Sequence, residues 1–290
     1  MKILITGAGG QLGREWMDCL DKSHHEGVGF GSREMDITNE GQIHQKIEEI
    51  KPDAVINCAA YTAVDDAEDN RDEAFKINKT GAENLANICK KAGVKLVHYS
   101  TDYIFEGSDA DRNKLPSGYA ESHPANPQNV YGASKLAGEQ AIEKSGADWL
   151  IIRVSWLCGQ FGSNFIKTML RLSGQRDELR VVNDQTGSPT FCTDLVKKTI
   201  ALVEMNQKGY FHVSSKGQIS WFDLTRELLR QAGRENSVSL VPVSSAEFSA
   251  RAKRPAFSLL DCSKIENLGL QSIGWKVGLE NLLRQLNKKN

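Results

Sequence analysis

The chain has no apolar run long enough to span a bilayer. It also lacks a charge imbalance: 36 Lys and Arg stand against 37 Asp and Glu, a net charge of −1. That balance removes any global argument for nucleic acid or an anionic membrane as a partner. The six cysteines are scattered and form no Cys-x-x-Cys pair. They read as free thiols of a reducing, cytoplasmic compartment rather than a disulfide framework. The six histidines show no metal-ligand spacing, among themselves or with the cysteines. No P-loop signature and no Gly-x-Ser-x-Gly elbow occurs. The opening, Met1-Lys2-Ile3-Leu4-Ile5-Thr6-Gly7, meets glycine too early for a secretory signal and reads as a first strand.

What is present is rhythm. Strands are expected over 2–6, 28–31, 54–58, 95–100 and 149–154. Helices are expected over 11–20, 40–50, 72–92 and 131–145, with Thr38 or Asn39 capping the second and Gly93 ending the third. Near-continuous apolar strands alternating with helices imply a doubly wound parallel sheet of α/β class, a Rossmann-type domain over 1–155. After Val154 the alternation weakens, with helices expected over 164–173, 193–204, 220–231 and 278–286 and a short strand over 210–213. The expected division is a smaller α+β substrate domain over 156–290, the chain returning to the first domain near 190–215. The stretch 108–129, with Pro116, Pro124 and Pro127, has the look of a long loop beside a site.

Three segments carry chemistry. The first is Thr6-Gly7-Ala8-Gly9-Gly10-Gln11-Leu12-Gly13, between a strand and a helix. Gly7, Gly10 and Gly13 permit a tight turn, close approach to a pyrophosphate and close helix packing, with the helix N-terminus facing the phosphates. The alternative is a tight turn without ligand. The end of the second strand, Phe30-Gly31-Ser32-Arg33-Glu34, has no acid at the position that usually reads a ribose 2′-hydroxyl. Ser32 and Arg33 suit a 2′-phosphate, hence NADPH, although Glu34 could reach the ribose and Arg33 could be a solvated charge. Asp36 and Ile37 are candidates for the adenine, or turn residues. Ala59, Ala60, Tyr61 and Thr62 follow the third strand, where small residues let a flat cofactor pass close, or simply pack.

The third segment pairs Tyr131 with Lys135, one helical turn apart, downstream of Ser100 and Thr101. A lysine ammonium beside a tyrosine lowers its pKa from ~10 and makes it a proton donor at neutral pH. Thr101 adds a hydroxyl for a substrate carbonyl. Tyr-x-x-x-Lys is common on ordinary helices, and here its context gives it weight. His98 reads as a satisfied core histidine.

These segments resemble the extended short-chain dehydrogenase/reductases, and within them the reductases of dTDP-linked 4-keto-6-deoxy sugars. The resemblance rests on Asn57-Cys58-Ala59-Ala60-Tyr61-Thr62-Ala63-Val64-Asp65, His98-Tyr99-Ser100-Thr101-Asp102-Tyr103-Ile104-Phe105, Asn129-Val130-Tyr131-Gly132, Arg153-Val154-Ser155-Trp156 and Val182-Asn183-Asp184-Gln185-Thr186-Gly187-Ser188-Pro189-Thr190, with Arg254-Pro255 and Ser258. It implies hydride transfer from NADPH, or NADH, to C4 of dTDP-4-dehydro-L-rhamnose. Tyr131 would then be the proton donor and Lys135 the cofactor-binding partner. Gly10, Gln11 and Leu12 would approach the pyrophosphate, and Asp36, Ile37, Ala60, Tyr61 and Thr62 would line the rest of the groove. Thr101, Asp102 and Trp156 would contact the sugar. After Val154, Asn164, Phe165, Asn183, Gln185, Arg251 and Arg254 suit a base, a sugar and a diphosphate. Relatives with Mg²⁺ at a dimer contact direct attention to Glu15, but no acidic cluster around it specifies a metal. Monomer and homodimer both fit. The rivals are a reductase or epimerase of another nucleotide-sugar and a non-catalytic NADP-binding regulatory subunit.

Overall fold

The computed structural model describes residues 1–248 and 250–288. Its main strands are β1 Lys2–Thr6, β2 Glu26–Phe30, β3 Ala54–Asn57, β4 Lys95–Thr101, β5 Trp149–Val154, β6 Glu178–Val182, β7 Gly209–Val213 and β8 Ser239–Val243. Its main helices are α1 Gln11–Leu20, α2 Glu40–Ile50, α3 Ala82–Ala92, α4 Val130–Ser145, α5 Phe165–Ser173, α6 Cys192–Glu204, α7 Trp221–Gln231 and α8 Trp275–Asn287. Six strands form one parallel sheet in the order β7-β5-β4-β3-β1-β2.

The apolar strands are explained by burial on both faces. Ile3 and Ile5 point into a core with Trp16 of α1 and Leu195 and Leu202 of α6. Leu4, between them, joins Ile43 and Ile47 of α2 and Leu85 and Ile88 of α3 on the other side. Each such side chain contributes about 1.5–3 kcal/mol on leaving water. Chain order turns outward from β1 to β2 on one side and to β3 on the other. The crevice at the carboxyl ends of β1 and β3 is where such sheets take ligands.

Most expected elements are present within a few residues. Asn39 caps α2 by accepting from Gln42 N, and Ser220 caps α7 by accepting from Asp223 N. The helix expected over 72–92 is not uniform. Arg71–Phe75 leads through a π-helical turn, Lys76–Gly81, into α3. The wide turn lets the Asn78 side chain reach the backbone at the exit of β3, accepting from Tyr61 N (2.9 Å) and donating to Tyr61 O (3.0 Å).

Beyond β5 the chain builds a second, smaller core from Ile166, Leu224, Leu228, Leu279 and Leu282 on α5, α7 and α8. β6 and β8, which the sequence reading leaves unassigned, pair in parallel there. β7 rejoins the main sheet beside β5, and α6 packs on the face that α1 covers. The 108–129 stretch is pinned by Tyr119, whose ring stacks on Phe105 at 4.5 Å and whose backbone N donates to Leu259 O.

Candidate functional site

The glycine turn sits at the crevice and is shaped for a close approach. Gly7 has φ +61°, and a Cβ there would lie 2.7 Å from Ala59 N. A Cβ on Gly13 would lie 2.3 Å from the Gly7 carbonyl, so α1 rests directly on the turn. Gly10 precedes α1 in extended conformation with no side-chain cap, which leaves the first amides of the helix for an anion. Gln11 donates to Leu157 O (3.2 Å), and Leu12 is core.

At the end of β2, Ser32 and Arg33 are exposed. No ion pair among the described residues holds Arg33. Glu34 folds back onto Gly31 N (2.9 Å). Asp36 closes a turn, accepting from Thr38 N and Thr38 Oγ1, both at 2.9 Å. Ile37 is buried under Gly81, so only its backbone is available to a ligand. Ala59, Ala60 and Tyr61 are half-buried and Thr62 is exposed along the same edge.

Thr101 ends β4, and α4 is pressed against it. A Cβ on Gly132 would lie 2.2 Å from Tyr103 O, and one on Gly138 would lie 2.2 Å from Asn78 O. The two glycines therefore set the depth of α4, and with it the position of Tyr131 beside Thr101. The Thr101 hydroxyl donates to Asp102 Oδ1 (2.9 Å). Asp102 is buried and its Oδ2 has no partner. Burial raises its carboxyl to about 7, opposed by hydrogen bonding to Thr101. The ring of Tyr131 meets that of Tyr103 edge-on at 5.6 Å.

The expected lowering of the tyrosine by its lysine is not in force in the ligand-free protein. Burial pushes the Tyr131 phenol up to about 12, the Thr101 hydroxyl opposing and the Asp102 carboxylate adding. Lys135 is buried and turned downward, its Nζ 2.6 Å from Tyr99 O and 3.1 Å from His98 Nε2. Desolvation brings its pKa down to about 8.

Tyr103 also lines a cavity of about 840 Å³, with Val64, Phe165, Met169, Arg180, Gln185, Trp221, Phe248 and Arg254 among others; Thr101, Asp102, Tyr131 and Trp156 are not among its lining residues. Arg254 forms a bidentate pair with Asp65 (3.1 and 2.7 Å). Arg251 is held by Asp66 and Asp69. Trp156 stacks on Trp221 at 3.6 Å and donates from Nε1 to Ser258 Oγ (3.1 Å). Asn164 is not around this cavity. It caps α5 and donates to Gln11 Oε1 (2.7 Å) and Gly159 O (2.8 Å). Asn183 accepts from the α7 cap Ser220 (2.8 Å). Trp221, Tyr103, Arg180, Met169 and Phe248 were not singled out from sequence. Only Trp221 carried a signal, an aromatic directly after a helix cap.

No group of metal-ligating side chains gathers at Glu15 among the described residues, although its buried Oε2 has no partner. The carboxylate is buried, and Oε1 accepts from Thr193 Oγ1 (2.5 Å) and Gln160 Nε2 (3.3 Å), which are neutral donors rather than fellow ligands. Elsewhere the fold does what spacing did not indicate. It brings ligand atoms of His24, His25 and Glu204 within 4.8 Å of one another, at the start of β2 and far from the crevice. No helix among the described residues is long and apolar enough to cross a membrane.

With this geometry in place, comparison with known proteins is informative. The family model described as RmlD substrate binding domain matches residues 1–288. The spore coat polysaccharide biosynthesis protein SpsK of Bacillus subtilis is 37% identical over 98% of this chain and 97% of its own. The dTDP-4-dehydrorhamnose reductase of Aggregatibacter actinomycetemcomitans is 36% identical over 97% of this chain and 98% of its own. A crystal structure of dTDP-4-dehydrorhamnose reductase from Bacillus anthracis in complex with NADP superposes with a TM-score of 0.92 at 41% identity, covering 98% and 99% of the two chains. The chain belongs to the RmlD substrate binding domain family.

Proposed function

We propose that this chain, as a member of that family, reduces the C4 keto group of dTDP-4-dehydro-L-rhamnose to give dTDP-L-rhamnose for cell-surface polysaccharide synthesis. The observation that carries the reading is a juxtaposition. A glycine cradle that a Cβ would fill stands at the carboxyl end of the sheet, Tyr131 stands beside Thr101 at the end of β4, and Tyr103, whose ring meets Tyr131, lines a cavity that Arg254 also lines. NADPH, or NADH in its place, would supply the hydride.

The chain's own residues would divide the remaining work. Gly7, Gly10, Gln11, Leu12 and Gly13 hold the pyrophosphate. Ser32 and Arg33 take the 2′-phosphate. Asp36 and the Ile37 backbone, with Ala59, Ala60, Tyr61 and Thr62, line the groove. Tyr131, kept protonated by its raised pKa, gives its proton to the oxygen that gains charge at C4. Thr101 and Asp102 bond the sugar, Trp156 packs on it, and Arg254 meets the diphosphate. In this reading 1–155, with the return near 190–215, binds cofactor, and most of 156–290 binds the dTDP-sugar. The six free cysteines suit the cytoplasm. A small-molecule substrate needs no nucleic-acid partner, and either a monomer or a homodimer would serve.

The test is oxidation of NADPH and NADH with freshly made dTDP-4-dehydro-L-rhamnose, run beside the UDP and GDP analogues. Turnover on the dTDP-sugar is expected. Equal turnover on another nucleotide-sugar would reassign the substrate. Stoichiometric cofactor binding without turnover would make the chain a regulatory subunit.

A further inference from the structure

Lys135 stands at the end of a buried polar column that crosses the sheet from β4 through β3 to β1. The direction of each hydrogen bond follows from its far end. The Ala59 backbone N–H can only donate, and it meets Asn57 Oδ1 at 3.1 Å. Thr6 Oγ1 lies 2.6 Å from the same atom, a separation usual for O–H···O and short for N–H···O. Both contacts turn the Asn57 carbonyl toward β1. Its Nδ2 therefore faces His98 Nδ1, at 2.9 Å. An amide nitrogen only donates, so His98 Nδ1 accepts.

A neutral imidazole carries one N–H, which must then be on Nε2, 3.1 Å from Lys135 Nζ. Burial holds His98 well below its ordinary pKa, so a second proton is not available to it. An N–H aimed at Nζ needs a lone pair there, and an ammonium has none. The Tyr99 carbonyl, at 2.6 Å, takes one of the remaining amine hydrogens.

Glu139 and Cys58 favour the ammonium, and burial outweighs both. Glu139, one turn along α4, is committed to Arg153 through contacts of 3.0 and 2.7 Å. Burial raises the Cys58 thiol of β3 above its ordinary pKa, and the Tyr131 phenol is raised to about 12, so both are uncharged. Burial of Lys135 itself favours the neutral form.

We infer that His98 and Asn57 store Lys135 as a neutral amine in the free protein, and that it takes up a proton and leaves His98 when the nicotinamide cofactor enters the groove. The inference rests on the reading that Lys135 meets the cofactor. His98 is then a positioning residue, and the phenol of Tyr131 is assisted only once cofactor has bound. The proton comes from solvent and stays on Nζ, and nothing is oxidised or reduced.

Calorimetric titration of the full chain at about pH 9, above the Lys135 value of about 8, in two buffers of different ionisation heat, tests this. NADH is used beside NADPH because it lacks a 2′-phosphate that could itself change protonation. About one proton taken up per cofactor bound is expected, and binding without uptake would overturn the inference. In Lys135→Met the uptake should vanish, and its persistence would assign the proton elsewhere and overturn the inference too. Asn57→Asp replaces the donor with an acceptor, so His98 Nδ1–H points to it and Nε2 accepts from an ammonium. Uptake should fall by more than half there, and unchanged uptake would refute the assigned directions. Absence of binding by either cofactor would instead sink the functional reading, and this inference with it.

Discussion

Arg254, the residue proposed to meet the diphosphate, is already engaged by Asp65 in the ligand-free protein, and Asp65→Asn tests what that engagement is worth. The Arg254 guanidinium holds the Asp65 carboxyl down from 3.8 to about 2. A lowering of that size corresponds to roughly 2 kcal/mol at 1.36 kcal/mol per unit. The side chains are 36% and 26% exposed, and solvent screening brings the interaction to about 1 kcal/mol. Asn keeps an oxygen for the Ala252 N–H, which Asp65 Oδ1 accepts at 3.0 Å, and removes the charge.

A diphosphate that recruits Arg254 competes with this carboxylate for the guanidinium charge. Removing the charge should therefore tighten dTDP about fivefold, the equivalent of about 1 kcal/mol, while stability at neutral pH falls by a similar amount. The pH dependence has a defined sign. The folded value lies below the unfolded value, so the stabilisation is complete above about pH 4 and is lost as pH falls toward 2. Titration of dTDP by calorimetry and thermal unfolding across that range are the assays. Unchanged or weaker dTDP binding in Asp65→Asn would refute the competition.

Three further outcomes follow from the site. Tyr131→Phe should bind cofactor and dTDP normally and lose about two orders of magnitude or more in kcat; near-normal turnover would remove Tyr131 from the chemistry. Arg33→Ala should weaken NADPH about tenfold, the worth of one charge-assisted contact, and leave NADH unchanged; equal losses would show that it does not read the 2′-phosphate. Gly132→Ala puts a Cβ against the Tyr103 carbonyl, where backbone must move, and should cost about 1–3 kcal/mol in thermal unfolding together with a fall in kcat. Wild-type kcat in that variant would mean that Tyr131 does not depend on the depth of α4.

The glycine turn and the Tyr131–Lys135 pair were legible because their signals are local. Gly7, Gly10 and Gly13 lie within one turn and helix start, and Tyr131 and Lys135 lie on one helix face. Helix caps at Asn39 and Ser220 were equally readable, since each rests on a hydroxyl or amide three residues from the N–H that it accepts. The pairing of Arg254 beside the cavity was not. Arg254 and Asp65 are 189 residues apart, and nothing in either segment names the other. The π-helical turn at Lys76–Gly81 was also hidden. Its cause is a contact from Asn78 to the exit of β3, a tertiary effect that helix propensity does not register. The state of Lys135 was hidden for the same reason. Spacing puts it near Tyr131, and only the column through His98 and Asn57 shows where its Nζ points.

Trp156 shows how the two halves are coupled. It follows β5, whose register against β4 places Val154 opposite Thr101. The aromatic residue proposed for the sugar is thus tied by strand pairing to the hydroxyl beside Tyr131. Immediately after that strand the chain leaves the sheet for the smaller lobe, and Trp156 makes the turn with φ +48°, a conformation costly for a bulky side chain. Its carbonyl accepts from Thr190 N (3.2 Å), and its indole is fixed between Trp221 and Ser258. These contacts come from β-structure, from α7 and from the C-terminal segment, so the strained turn holds only when the smaller lobe is assembled around it. A glycine would adopt this backbone at no cost, so the turn alone does not require a tryptophan. What the indole adds is a flat apolar surface at the seam, set by the register of the main sheet and braced by the smaller lobe.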